Sequence, residues 1–437
     1  MGLPCGGTVS RNVVLVTYDS LRADHCGFMG YERDTTPTLD RLAHDGVVFE
    51  NAVASGVPTI ASMTAVMTGN YSLASPEIGF DEAQCKQVTQ RPTIAEVVSE
   101  AGYATGGLSP NPPASSYFGF DEGFDWFEDF LAADRGVLER AWNRVFERSI
   151  AGGSATRYLR LARNVVRREE VLRPWEDYYD HITEWREAVE EPYFLWILVL
   201  EPHHPWVPPS SSQRWSSRWD KYRSFRHYWE MLNSGWEPEF DGTVRERMID
   251  LYDDSIRHGD SFLEQLWTDL QADEPVFIVH SDHGEEFSEN GRYGHQPDVT
   301  EELIHVPLVV WGLEESWRVE TPVGLRELAP TIAELTGSPC PFAGRDLLSL
   351  DDDTRPWVVS KVFVGGKRRA AVRTATHEFR RRNGRTELVD VTSGSCESIG
   401  NESAAAFATA LDRHVAAERE KEAVRSGGER LIVEGRV

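Results

Sequence analysis

Lysine is almost missing from this chain. It occurs only at Lys86, Lys221, Lys361, Lys367 and Lys421, so arginine supplies nearly all of the 45 basic residues. Against them stand 71 Asp and Glu, for a formal net charge of −26. A surface of that sign repels nucleic-acid backbones and anionic bilayers, which argues against a nucleic-acid partner. Excess carboxylate with so little lysine suits a high-salt, archaeal-type cytoplasm, where salt screens self-repulsion. An Arg-rich acidic protein from a GC-rich genome is the plainer alternative. Long apolar runs are also lacking: none approaches the ~20 residues a spanning helix needs, so no stable membrane insertion is expected. Met1 to Arg11 is short and polar, without the apolar core of a signal peptide. The expectation is a soluble, cytoplasmic protein. The five cysteines, Cys5, Cys26, Cys85, Cys340 and Cys396, are scattered and form no CxxC, so neither a zinc knot nor a disulfide framework is suggested.

What is present is a core. The 437 residues are 40% hydrophobic and 11% aromatic, with 14 Trp. A chain of that size folds without staples. Asn12 to Thr17, Tyr193 to Leu200, Val276 to His280 and Val306 to Trp311 are continuous apolar runs, the pattern of strands buried on both faces of a parallel sheet. Helical text lies between them, at Thr38 to Asp45, Ile60 to Met67, Thr93 to Ala101 and Arg245 to Trp267. Alternation of this kind predicts a mostly parallel α/β sheet covered on both faces. Phe124 to Glu191, with helical periodicity, and the aromatic stretch Trp206 to Phe240 read as insertions of the kind that form lids over a site. The Asp351-Asp352-Asp353 run marks a boundary between a catalytic domain, 1–350, and a small α+β subdomain, 351–437, with short strands over Trp357 to Val391 and a helix over Glu402 to Val424.

Three strand ends carry polar clusters: Asp19, then Glu201-Pro202-His203-His204, then Ser281-Asp282-His283-Gly284-Glu285. Ligands of open α/β sheets sit outside the carboxyl ends of the strands. Asp19, Asp282 and His283 offer two hard oxygens and an imidazole, a partial shell for a divalent cation such as Zn²⁺, Mn²⁺ or Mg²⁺. Neighbouring strand residues point to opposite faces, so the backbone must turn between Asp282 and His283, which Gly284 permits. Each cluster taken alone also fits an ordinary turn. Thr59, after Pro58, stands where a helix begins. Its hydroxyl is read either as an N-cap or as a nucleophile at a helix N-terminus, where an anionic substrate is favoured and a metal contact activates the hydroxyl.

The ordered set of motifs resembles the sulfatase family of the alkaline phosphatase superfamily. The segments that carry it are Asn12 to Asp24, Thr36 to Ala43, Thr59 to Gly69, Glu201 to Trp206, Ser281 to Glu285, Gly294-His295, Glu301 to Leu308 and Leu328 to Ile332, over roughly residues 12 to 348. The resemblance implies the alkaline-phosphatase-like three-layer sandwich. It implies Asp19, Asp282, His283 and Thr59 as metal ligands, Thr59 as nucleophile, and His203 and His295 as histidines facing the transferred or leaving group. It also suggests Asp24 and Lys361 as possible substrate contacts. His204, His280 and His305 are taken as structural. The family's Cys/Ser-x-Pro-x-Arg motif, whose first residue becomes formylglycine, is replaced here by Thr59-Ile60-Ala61-Ser62-Met63. No formylglycine is therefore expected, and the cofactor is a divalent metal ion (Mn, Zn, Ca or Mg). Thr nucleophiles of phosphoryl-transferring relatives shift the expectation towards phosphoesters over sulfate esters. A small-molecule, glycan or lipid ester is the expected substrate. Two other readings stay open: a phospho-alcohol transferase acting on a glycan or lipid, and a degenerate binding protein.

Overall fold

The computed structural model describes residues 11–71, 88, 91–130, 174–350, 356–364, 367–382, 384–391, 396–397, 404–418 and 420. Its centre is an eight-stranded sheet of β1 (Val13–Tyr18), β2 (Val47–Phe49), β3 (Ala104–Leu108), β4 (Trp126–Glu128), β5 (Tyr193–Val199), β6 (Val276–Ser281), β7 (Leu308–Trp311) and β8 (Trp317–Val319). The spatial order is β8-β2-β7-β6-β1-β5-β3-β4. Only β7 runs against the others.

The apolar runs form strands because alternate side chains enter different cores. Val13 and Leu15 of β1, Phe194, Trp196 and Leu198 of β5, and Val276 and Ile278 of β6 face one layer. Val14, Val16 and Tyr18, Leu195, Ile197 and Val199, and Phe277 and Val279 face the other. All are at most 1% exposed, and burial of each such side chain contributes about 1.5–3 kcal/mol. The first layer holds α2 (Thr59–Thr68) and α3 (Ile94–Glu100), through Met63, Val66, Ile94 and Val98, and the Leu328–Thr336 helix through Leu328 and Ile332. The second holds α1 (Pro37–Asp45), the Tyr179–Ala188 helix and the long Gly242–Leu270 helix, through Leu39, Leu42, Ile182, Trp185, Leu251 and Phe262. This is the three-layer sandwich expected from the sequence.

Two details correct that expectation. Trp126–Glu128 is not the start of a helical insertion; it is the edge strand β4, paired in parallel with Gly106 to Leu108. The aromatic richness of the stretch hid a three-residue strand. Residues 131–173 of that insertion lie outside the described residues, whereas Tyr179–Ala188 is helical as expected. The second difference is at Thr59. The backbone carbonyl of Pro58 accepts from the N–H groups of Ala61 (2.8 Å) and Ser62 (3.2 Å), so Pro58 is the cap and Thr59 the first helical residue. The Thr59 hydroxyl makes no capping bond.

After residue 350 comes a five-stranded antiparallel sheet: β9 (Val358–Val364), β10 (Lys367–Arg373), β11 (His377–Arg382), β12 (Arg385–Asp390) and β13 (Cys396–Glu397). Residues 404–418 are helical and cover it, with Phe407 stacked on Phe379 at 6.1 Å. The part of the expected helix beyond residue 420 lies outside the described residues. No described helix is long and apolar enough to cross a membrane.

Candidate active site

β1 and β6 are in register, Tyr18 opposite Ser281, so Asp19 and Asp282 leave the sheet side by side. The ladder runs on past both strands: Asp282 N–H donates to the Tyr18 carbonyl (3.0 Å) and Asp19 N–H to the Val199 carbonyl (2.9 Å). Ser20 then turns the chain with φ 68°, a left-handed conformation that costs a non-glycine residue about 1–3 kcal/mol. The turn aims Ser20 N–H at Asp282 Oδ1 (3.1 Å) and Ser20 Oγ at Asp19 Oδ1 (2.9 Å). Asn111, in the loop after β3, donates its side-chain N–H to Asp19 Oδ2.

The backbone does turn between Asp282 and His283, since β6 ends at Ser281. Gly284 serves this by close approach rather than by a left-handed φ: a Cβ there would lie 2.0 Å from the Glu302 carbonyl oxygen. His283 Nδ1–H donates to the Gly284 carbonyl at 2.9 Å, which leaves Nε2 as the acceptor or ligand atom. Nε2 lies 3.2 Å from Thr59 Oγ1, 3.4 Å from Asp282 Oδ2 and 3.9 Å from Asp19 Oδ1. α2 is pinned to the same loop by Ser62 Oγ, which donates to the Asp282 carbonyl at 2.6 Å. Thr59 is 2% exposed.

A divalent cation fits here. Asp19, Asp282 and His283 are fully buried, each offers one ligand atom within 4.8 Å of the others, and Asp282 Oδ2 has no hydrogen-bond partner. An unpartnered buried carboxylate oxygen is costly unless a ligand satisfies it. Burial, followed by the charge of Asp19, pushes the Asp282 carboxyl up to about 7. Burial acts on Asp19 in the same sense, but His203, His283 and His295 outweigh it and hold Asp19 below its usual range.

Beside this pocket stand three more histidines. The His283 and His295 rings are 4.6 Å apart, His295 and His203 4.9 Å, His295 and His204 4.7 Å, and His203 and His204 4.3 Å. Glu285 Oε2 accepts from His204 Nδ1 (3.1 Å) and His295 Nδ1 (3.3 Å). These rings outweigh burial and hold the Glu285 carboxyl well below the usual range. Burial lowers both His203 and His204, favouring their neutral forms. His203 Nδ1 donates to the His204 carbonyl at 2.5 Å. Although His203, His204 and His295 also lie within metal-ligating distance of one another, His204 stacks at 28–29° on both other rings. That packing and the shared carboxylate suit proton handling better than a shared ion.

The structure thus brings together Asp19, Thr59, His203, Asp282, His283 and His295. It does not bring Asp24 with them: both Asp24 oxygens bind Arg22 (2.8 and 2.6 Å), its side chain is 61% exposed, and its charged neighbours are Arg22, His25 and His305. Lys361 sits on β9, with its N–H on the Ser55 carbonyl (3.3 Å) and its ammonium 4.0 Å above the Tyr71 ring, close to the chain leading into α2. His280 and His305 are structural, bound to Thr17 and to the Glu50 carbonyl. His204 packs inside the cluster, against the His203 and His295 rings. Sequence reasoning gave Ser20 and Asn111 no role, and named Glu285 only within its strand-end cluster. Position just beyond a strand end was the signal available for all three.

The Sulfatase family model matches residues 11–338. Over 225 residues the chain is 28% identical to the arylsulfatase of Clostridium perfringens, covering 45% of this chain and 44% of that protein, so the match spans less than half of that relative's length. The multifunctional alkaline phosphatase superfamily protein PehA of Trinickia caryophylli is 22% identical, over 79% of this chain and 78% of that one. Among solved structures, the phosphonate monoester hydrolase of Silicibacter pomeroyi superposes with a TM-score of 0.65 at 18% identity, covering 94% and 95% of the two chains. The fold is that of the alkaline phosphatase superfamily.

Proposed function

The chain belongs to the sulfatase family, and from that premise we propose that it is a divalent-metal-dependent hydrolase of sulfate or phosphate esters, with phosphate favoured and Thr59 as nucleophile. The observation that carries this is the Thr59 hydroxyl: buried, free of any capping role and 3.2 Å from His283 Nε2 beside two buried carboxylates. A cation held by Asp19, Asp282 and His283 would supply positive charge for the oxygens of the transferred group and favour the Thr59 alkoxide.

Thr59 Oγ, its proton already lost to solvent, attacks the phosphorus or sulfur as the alkoxide, forming an O–P or O–S bond while the bond to the leaving oxygen breaks. His203 or His295, in its imidazolium form, delivers a proton to that oxygen, and burial makes the His203 imidazolium the readier donor. The first N–H groups of α2 face the transferred group's oxygens. Water then attacks the same centre, the bond to Thr59 Oγ breaks, and the histidine takes the proton back. A formylglycine hydrate sheds its ester by elimination. Threonine cannot, so its ester needs this second attack, which favours phosphorus. Scarce lysine and excess carboxylate support a high-salt, cytoplasmic setting.

The test is a panel of aryl sulfate, phosphate monoester and phosphate diester in molar KCl, with Mn²⁺, Mg²⁺, Ca²⁺ or Zn²⁺, for wild type and Thr59→Ala. Thr59→Ala is expected to lose turnover by roughly three orders of magnitude or more. Its melting temperature should stay close to wild type. Turnover that survives in Thr59→Ala would overturn the assignment.

A further inference from the structure

His295 stands at the centre of the histidine cluster, its ring within 4.9 Å of those of His203, His204 and His283. What holds it there differs on its two sides. On the amino side, Gly294 pairs with Glu286 in a short antiparallel ladder, and Tyr293 N–H donates to the Trp236 carbonyl at 3.0 Å. On the carboxyl side that support stops. Among the described residues, 296–298 make no backbone–backbone hydrogen bond, and regular structure resumes only at the Glu301–Ile304 turn of helix. Side chains must set the path of this stretch.

The C-terminal sheet supplies them. Alternation along β10 and β11 sends Ala370, Val372 and Phe379 into the apolar layer beneath the 404–418 helix. Ala371 points the other way and joins the core of the catalytic domain. Arg369, Arg373, Arg380 and Arg382 share the face of Ala371, with Glu378 opposite Arg373, so that face is basic. Asp298 is 3% exposed and meets it: its Oδ2 lies 2.9 Å from Arg369 Nη1 and 3.7 Å from Arg382 Nη1. Arg369 Nη1 also donates to the Pro297 carbonyl at 2.6 Å. Arg292 binds Asp298 as well, but it lies on the same segment as His295, three residues before it. That pair closes the loop without fixing where the loop stands. Arg369 fixes it, because it is anchored in a sheet and grips the second and third residues after His295.

We propose that Arg369, with Asp298 as its partner, is a positioning residue for His295, so that the C-terminal sheet, beyond the residues 11–338 that the family model matches, completes the active site. The proposal rests on the histidine cluster being that site. A brace with no such role would cost stability and nothing that passes through His295.

Two variants test it. Arg369→Leu removes both bonds while keeping an apolar stem, and Arg369→Lys keeps the charge and one bond. For each, kcat and KM are measured on whichever ester the wild type turns over, together with the melting temperature. The His295 ring signal is followed by NMR of histidine-labelled protein and assigned by its loss in His295→Ala. Arg369→Leu is expected to lower kcat by about a hundredfold with KM little changed, and Arg369→Lys to fall between it and wild type. Added to His295→Ala, Arg369→Leu should cost almost nothing more, because the ring it acts through is already gone. The His295 signal should shift or broaden in Arg369→Leu and stay in place in Glu378→Gln, which loosens the same sheet without touching the grip on Asp298. Equal losses of kcat with and without His295 would overturn the proposal. So would a His295 signal that is the same in wild type and Arg369→Leu. If Arg369→Leu does not fold, Arg369→Lys carries both tests with smaller effects of the same sign. The ring signal needs no turnover, so failure of the ester or nucleophile assignment would leave that result standing.

Discussion

At the carboxyl ends of β1 and β6, Asp19 and Asp282 lie buried side by side, and among the described residues only histidines face them as cations. Against the C-terminal sheet, Glu378 is equally buried but gripped by Arg373 and Arg380, and Arg373 also holds Glu301. Asp298, next to the segment that carries His295, is held by Arg292, Arg369 (2.9 Å) and Arg382 (3.7 Å). One guanidinium nitrogen each of Arg369, Arg373 and Arg380 goes without an acceptor, yet every carboxylate named there has a guanidinium. One cluster is closed by the chain's own cations. The other keeps a bare oxygen, Asp282 Oδ2, as a ligand site does. Burial alone would not have told them apart; charge balance does.

The contrast can be broken first at Asp282. Asp282→Asn keeps the shape and removes the charge. It should lose bound metal and roughly two to three orders of magnitude of turnover, like other losses of metal-site function. The metal-free variant should also melt higher than metal-free wild type, since two buried carboxylates no longer repel. Metal analysis with calorimetry on both proteins checks this, and a variant that keeps its metal would place the ion elsewhere. Glu378→Gln should do the reverse. Leaving buried arginines underpaired costs about 3–5 kcal/mol in denaturant unfolding, while turnover per folded molecule changes little.

A smaller effect concerns Asp260, whose carboxylate accepts from Thr38 N–H (2.8 Å) and Leu39 N–H (3.0 Å) at the start of α1. Burial outweighs those bonds and pushes its pKa up to about 7. The folded protein therefore holds that proton between about pH 4 and 7, and stability falls as pH rises across that window, by about 1.4 kcal/mol per unit of difference. Relative to Asp260→Asn, wild type should lose stability from pH 4 to 8. A difference that stays flat, measured by urea unfolding at several pH values, would show the helix N-terminus winning over burial.

Legibility followed the same physics. The runs Asn12 to Thr17, Tyr193 to Leu200 and Val276 to His280 announced a doubly covered sheet because burial on both faces forces continuous apolar text. β4 was hidden because a three-residue strand, Trp126-Phe127-Glu128, is too short to show a period. Asp19, Asp282 and His283 were readable as strand-end polar residues within a known motif order. His204 and Glu285 stand in the same strand-end clusters, but their contact does not show in the sequence, because it joins residues 81 apart in the chain. Asp24 misled for a similar reason: its partner is Arg22, two residues away, and only the folded chain shows both oxygens already taken.

The central claim, a covalent ester on Thr59, is tested most directly by acid-quenching the wild-type enzyme during turnover of a phosphate ester and mapping its peptides by mass spectrometry. The account predicts a phosphoryl group on the peptide that begins α2, assigned to Thr59 and absent from Thr59→Ala. A modified residue elsewhere, or steady turnover with no modified peptide at all, would contradict it.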